Sequence, residues 1–257
     1  MKILFLGDIV GRCGVDAAFE NVPDIREKYG IDFCIANCEN SAGGFGVTRE
    51  VLHDLQRAGV DAFTGGNHIF SKKEHLSVFE DASFDIARPY NLPISSPGKG
   101  YVICRVGNVK IGIINLLGTL FMDNGADNAF NAADAAVKEV SDRADIIIVD
   151  FHAEATSEKK ALGYFLDGKV SAVFGTHTHI QTADEEILPL GTAYITDVGM
   201  CGAKNSVLGA KIQPAVARFV EGGRGRYEGA DGERVFCGII AEFDSAGKAI
   251  KVERVKL

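Results

Sequence analysis

Five short stretches carry side chains able to hold metal ions. They are Asp8 in LGDIVG, Glu39 and Asn40 in ANCENSAGG, Asn67 and His68 in TGGNHIF, His152 in DFHAEA, and His177 with His179 in FGTHTHI. Carboxylate and imidazole together suit Mn, Fe, Zn or Ni better than Ca or Mg alone. A carboxylate can bridge two cations, and an asparagine carbonyl adds a neutral oxygen. The two histidines of THTH are two residues apart, so on extended chain they leave the same face and reach adjacent ions. The number of ligands exceeds what one ion needs. Two cations that activate water and screen charged oxygens are the apparatus of metal-assisted ester hydrolysis.

Each residue alone has a plainer reading. An Asp before Gly at a strand end is usually turn chemistry, and so is Asn40 beside AGG. Asn67 could cap a helix starting near Ser71, and a single buried His is usually a satisfied core residue. What favours metal is their joint occurrence at corresponding positions. His53 and His75 fall on helical stretches and read as solvent-facing or structural. Cys38 adjoins Glu39, but strand alternation points it to the other face. Gly7, Gly11 and Gly14 are spaced G-x-x-x-G-x-x-G rather than the G-x-G-x-x-G of a dinucleotide site, which counts against a nicotinamide oxidoreductase. The AGGFG loop at 42–46 could offer backbone N–H groups to a phosphate. It lacks the lysine of a P-loop, and a loop that simply closes over a site reads equally well.

The elements that must position these residues are legible as short apolar runs alternating with helical stretches. Lys2–Gly7, Asp32–Asn37 and Asp61–Thr64 read as strands, separated by a helix over Val15–Tyr29, with a break at Pro23, and by a helix capped by Thr48. This βαβαβ order implies a parallel sheet covered by helices. Tyr101–Val106 and Val109–Leu116 flank Gly107-Asn108 and read as a hairpin. A helix from about Asn128 to Ala144 leads to a strand at Asp145–Phe151, then a helix at Ser157–Asp167 and a strand at Val170–Phe174. Ile187–Leu188, Ala193–Thr196, Val235–Phe243 and Ala249–Val255 are further strands, the last two a hairpin. The ligand candidates all lie just past the C-terminal ends of strands, the edge where α/β sheets bind ligands. One α/β domain over residues 1–257, with two sheets, fits this pattern.

Composition bounds the rest. The chain has 257 residues, 46% apolar and 24% charged, as expected of a globular protein. A net charge of −8 argues against an extended nucleic-acid or anionic-membrane surface, though not against a small anionic substrate. No run approaches the length of a membrane span, and the opening MKILFLGDIV is no signal segment. The six cysteines show no CxxC spacing. Cys34 and Cys38 would lie roughly 13 Å apart along a strand, too far to bridge. Buried thiols in a cytoplasmic protein are expected.

Taken together, GDIVG, N-x-ENSAGGFG, GNHIF, DFHAEATSEK, GTHTH-x-QTADE and YITDVGM resemble the YmdB-like branch of the calcineurin-like metallophosphoesterases, over Met1 to about Val255. That branch contains bacterial phosphodiesterases acting on 2′,3′- and 3′,5′-cyclic nucleotides. The resemblance implies a four-layer αββα sandwich of two mixed sheets with two transition-metal ions, Fe or Mn foremost and Zn as an alternative. Asp8, Glu39, Asn40 and His179 would hold one ion. Glu39, Asn67, His152 and His177 would hold the other, with Glu39 bridging, and His68 would stand beside the leaving group. The wider superfamily usually has His where this chain has Val10 and a bridging Asp where it has Glu39; both departures belong to the YmdB-like branch. The implied reaction is hydrolysis of a cyclic nucleotide by in-line attack of a metal-bridging hydroxide. The alternative is a metal-dependent nucleotide-binding regulator with incidental turnover. A symmetric homo-oligomer is compatible with either.

Overall fold

The computed structural model describes residues 1–122, 125–223 and 227–257. The first half contains β1 (Lys2–Ile9), α1 (Gly11–Tyr29), β2 (Phe33–Asn37), α2 (Arg49–Arg57), β3 (Ala62–Thr64), a 3₁₀ helix (Lys73–Glu80) and β4 (Ile86–Ala87). There follow β5 (Tyr101–Val106), β6 (Val109–Leu117), α3 (Ala129–Val140), β7 (Ile146–His152), α4 (Thr156–Leu166), β8 (Ala172–Thr176), β9 (Glu186–Ile187) and β10 (Ala193–Ile195). The chain closes with β11 (Met200–Ala203), α5 (Ile212–Glu221), β12 (Arg234–Val235), β13 (Cys237–Phe243) and β14 (Ala249–Lys256).

Two mixed sheets form. In the first, the path β12-β11-β1-β2-β3-β4 carries β13 and β14 as a branch. β1 is the fork: Lys2–Leu6 pair antiparallel with β13, whereas Asp8 and Ile9 pair parallel with β11. In the second sheet, β6, β7, β8 and β10 run parallel, with β5 and β9 antiparallel at the edges.

Strands buried on both faces must be apolar on both, and β1 obeys. Ile3 and Phe5 point between the sheets, where they meet Ile113, Ile148 and Phe174. Leu4 and Leu6 point outward to Val15, Val22, Leu52 and Leu55 of α1 and α2. Val149 and Phe151 of β7 face α3 and α4 through Ala133, Leu162 and Leu166. Each such side chain contributes roughly 1.5–3 kcal/mol by leaving water. The layers are thus helix, sheet, sheet, helix, as expected. Among the described residues no helix is long and apolar enough to cross a membrane.

The structure differs from expectation in the first helix and in the penultimate strand. α1 starts at Gly11 and runs unbroken through Pro23. Pro23 is exposed while Val22 and Ile25 are buried, so the packing of its neighbours against the core keeps the helix continuous through a residue that lacks an N–H. The run Val235–Phe243 divides at Phe236, because β12 pairs with β11 and β13 with β1. Thr48 caps α2 by accepting from Val51 N at 3.3 Å, and Asn128 caps α3.

Candidate metal centre

The C-terminal ends of β1, β2, β3, β7 and β8 meet at one rim. Asp8 is the penultimate residue of β1 and is fully buried. Its N–H donates to the Gly199 carbonyl at 3.0 Å. That close approach requires glycine at position 7, where a Cβ would lie 1.9 Å from the same oxygen. Glu39 and Asn40 sit in the turn after β2, Asn67 and His68 after β3, His152 ends β7, and His177 and His179 follow β8.

These side chains converge in two groups. His152 Nε2 lies 3.0 Å from each of Glu39 Oε1, Asn67 Oδ1 and His177 Nδ1. Beside it, His179 Nε2 lies 3.3 Å from Asn40 Oδ1 and 3.9 Å from Asp8 Oδ1. Glu39, Asn67, His152 and His177 thus form one group, and Asp8, Asn40 and His179 the other. Position 66 tolerates no side chain, since a Cβ would come within 2.3 Å of Glu39 Oε2 and 2.5 Å of His152 Nε2. His68 is anchored by its N–H to Glu39 Oε2 at 2.7 Å, and its ring packs edge-on against Phe45 at 4.8 Å. His53 stacks on Phe84, and Cys38 donates to the Thr64 carbonyl; both lie outside the cluster. All six cysteines are free and buried.

The profile of the family described as YmdB-like protein matches residues 4–255. The chain belongs to the YmdB-like family. A 2′,3′-cyclic-nucleotide 2′-phosphodiesterase of Bacillus subtilis is 44% identical over 256 residues, 99% of this chain and 96% of that protein. The crystal structure of a novel phosphatase from Mycoplasma pneumoniae superposes with a TM-score of 0.94 at 37% identity, covering 100% of this chain and 93% of that one. A putative 5′-nucleotidase from Staphylococcus aureus shares the fold at 16% identity, with a TM-score of 0.62 over 100% of this chain and 54% of that one. The two-sheet sandwich implied by the resemblance is borne out, and the named relatives are phosphodiesterases or phosphatases, the enzyme class it implied.

In this YmdB-like site the outer nitrogen of every clustered histidine is occupied. His152 Nδ1 donates to Thr176 Oγ1 at 2.9 Å, and that hydroxyl donates to Asp150 Oδ1 at 2.7 Å. His177 Nε2 faces Glu154 Oε2 at 3.2 Å, and His179 Nδ1 donates to the Leu208 carbonyl at 3.1 Å. These partners hold the rings so that the three remaining nitrogens point inward, as partners of metal-ligating histidines do. Asp8 Oδ1 is buried with no hydrogen-bond partner. An unpaired carboxylate oxygen beside converging lone pairs fits a cation.

Electrostatics point the same way. Burial opposes charge on His152, but Glu39, Asp8 and Asp150 outweigh it and raise its pKa to about 9. Burial likewise opposes charge on Glu39, yet His152 and His68 outweigh it and lower its pKa to about 2. Burial, then the charged His152, push His177 down to about 3. Without metal, a proton on His152 supplies the positive charge that the carboxylates demand.

The two histidines of THTH converge by a different route from the one expected. They are not extended: His177 has φ 100° and His179 φ 64°. Left-handed conformations are costly for such residues and persist only where the surroundings enforce them. Here the N–H of the intervening Thr178 donates to Asp197 Oδ2 at 3.0 Å. Asp197 is itself paired with Lys159 Nζ at 2.7 Å, the two side chains 0% and 1% exposed. Asp8 Oδ2 accepts from the His177 N–H at 3.0 Å. Glu154, Thr176, Asp150, Asp197 and Lys159 were missed as site residues. Lys159 left a signal: it occupies the apolar stripe of α4 with Leu162 and Leu166.

Graded exposure completes the description. Asp8 and His152 side chains are 0% exposed, whereas His179 is 13% and His177 23% exposed.

Proposed function

We propose that this protein is a metal-dependent phosphodiesterase that hydrolyses cyclic nucleotides, 2′,3′-cyclic or 3′,5′-cyclic, in the cytoplasm. The observation that carries the reading is the convergence on His152 Nε2 of Glu39, Asn67 and His177, beside the unpaired Asp8 Oδ1. The name of the Bacillus subtilis relative supports the substrate class. Asp8, Glu39, Asn40 and His179 would hold one ion, and Glu39, Asn67, His152 and His177 a second, with Fe or Mn the best match to mixed oxygen and nitrogen donors and Zn next. Ions bound there lower the pKa of coordinated water and neutralise phosphate charge.

The protein supplies the rest. Glu39 Oε2, accepting from the His68 N–H, sets where the His68 backbone lies, and Phe45 sets the tilt of its ring. His68 then gives a proton to the ribose oxygen as it departs. Thr176, Glu154 and Leu208 hold the outer ring nitrogens in place, so that once His152 releases its proton the three inward nitrogens are free to coordinate. The six buried free cysteines support a reducing compartment. α5 buries none of its residues, which supports a symmetric oligomer, and the net charge of −8 favours a small substrate over an extended nucleic acid.

The test is elemental analysis of the purified chain after reconstitution with Mn or Fe, followed by hydrolysis assays on 2′,3′-cyclic AMP, 3′,5′-cyclic AMP and bis-p-nitrophenyl phosphate. About two ions per chain and turnover of at least one cyclic nucleotide are expected. A stoichiometry at or below one ion sinks the dinuclear arrangement, and inert cyclic nucleotides sink the substrate class.

A further inference from the structure

Two cavities open at the rim of the metal centre on either side of Leu208. One, of about 460 Å³, is lined by Phe45, Phe219, Tyr227, Lys211 and Arg218. The other, of about 590 Å³, is lined by His179, Gln181, Lys204, Ser206 and Lys256. Val207 and Leu208 line both. Leu208 is a raised divider: its φ is 54°, its side chain is 43% exposed, and its carbonyl accepts from His179 Nδ1. Phe45 of the first cavity packs against His68, and His179 is itself part of the wall of the second.

A cyclic mononucleotide has one nucleoside, and each cavity falls within the roughly 300–1,000 Å³ that takes a small ligand. The chemistry of the walls also differs. Phe45 and Tyr227 pack edge to face at 4.9 Å, which gives the first cavity an aromatic wall for a base. The second has Lys204, which pairs with Glu233 at 2.6 Å, and Lys256, which suits a phosphodiester. We propose that the substrate is the 3′ end of a short RNA, a dinucleotide or slightly longer, closed by a terminal 2′,3′-cyclic phosphate. This rests on the phosphodiesterase reading and extends it. His68 protonates the ribose oxygen of the terminal nucleoside, so that nucleoside occupies the aromatic cavity beside His68. The preceding phosphate and nucleoside cross Leu208 into the cavity of Lys204 and Lys256. A bond forms from the oxygen of water to phosphorus, and one phosphorus–oxygen bond to the terminal ribose breaks. The proton of that water ends on the freed ribose hydroxyl. The strand keeps its length and gains a terminal phosphomonoester.

The experiment compares kcat/KM for 2′,3′-cyclic AMP with that for ApA ending in a 2′,3′-cyclic phosphate, using the full chain loaded with Mn. A hydrogen bond from Lys256 to the internal phosphate, which the mononucleotide lacks, is worth about 1.5–3 kcal/mol, so the dinucleotide is expected to be preferred roughly 10- to 150-fold. Lys256→Ala should lower the dinucleotide's kcat/KM more than the mononucleotide's. Equal kcat/KM on the two substrates, or an equal loss on both in the variant, overturns the proposal. If neither substrate turns over, the phosphodiesterase reading fails separately. Competition of 3′-AMP and ApA 3′-phosphate against a labelled dinucleotide then decides the two-nucleoside site. Tighter binding of ApA 3′-phosphate by a similar factor upholds it, and equal affinity overturns it.

Discussion

His68 and its neighbour Asn67 divide the work of one turn. Asn67 aims its oxygen at His152, while His68 keeps its backbone on Glu39 and its ring on Phe45. His68→Ala is therefore expected to retain both ions and lose about 10²–10⁴ in rate on a cyclic nucleotide, the usual contribution of a positioned proton donor. The loss should be smaller on bis-p-nitrophenyl phosphate, whose leaving group needs little protonation. Steady-state kinetics on both substrates at full occupancy check this, and an equal loss removes His68 from the donor role. At this scale the sequence was informative because a metal ligand must be a particular residue type, so Asp8, Asn67 and the three histidines stood out by identity. Thr176 and Glu154 did not, since hydroxyls and surface carboxylates are common and only their contacts to His152 and His177 single them out.

At the scale of elements, the loop after β8 depends on α4. Lys159 reaches from that helix to Asp197, and Asp197 holds the Thr178 N–H between two left-handed histidines. Removing one partner of a buried pair leaves the other charge uncompensated, at about 3–5 kcal/mol. Lys159→Met is thus expected to lower stability by that amount in urea titrations, and Lys159→Met with Asp197→Asn to recover most of it. If the single variant is as stable as the parent, the pair does not support the loop. Element identity was readable from periodicity: the paired apolar faces of β1 and the cap at Thr48 are local properties. The continuity of α1 through Pro23 was not, because the packing of Val22 and Ile25 against the sheet overrides a local penalty. Nor was the left-handed backbone at His177 and His179, which depends on Asp197 some twenty residues away.

On the scale of the whole molecule, the three apolar clusters between and outside the sheets do not include the candidate ligands. Chelation by EDTA should consequently leave the far-ultraviolet circular dichroism unchanged and the unfolding transition cooperative. The midpoint should fall, because ions that bind only the folded chain stabilise it by RT ln(1 + [L]/Kd), about 2.7 kcal/mol at a hundredfold excess over Kd. Collapse of the secondary structure on chelation would mean that the metals, not the cores, hold the sandwich together. The alternation of strand and helix gave two sheets in one α/β domain and the family resemblance gave the layer order, whereas the fork in β1 was not legible, since partner exchange along one strand edge leaves no mark in either strand's own pattern.

The graded exposure of the site has a kinetic consequence. Asp8 and His152 are sealed, and His177 and His179 alone of the clustered imidazoles meet water. Traffic of ions is then one-sided: the paired histidines are the first donors an arriving ion meets and the last it leaves. Substitution at His179 should speed dissociation into a chelator more than substitution at the sealed His152, whose loss acts on how tightly an ion is held rather than on how readily it escapes.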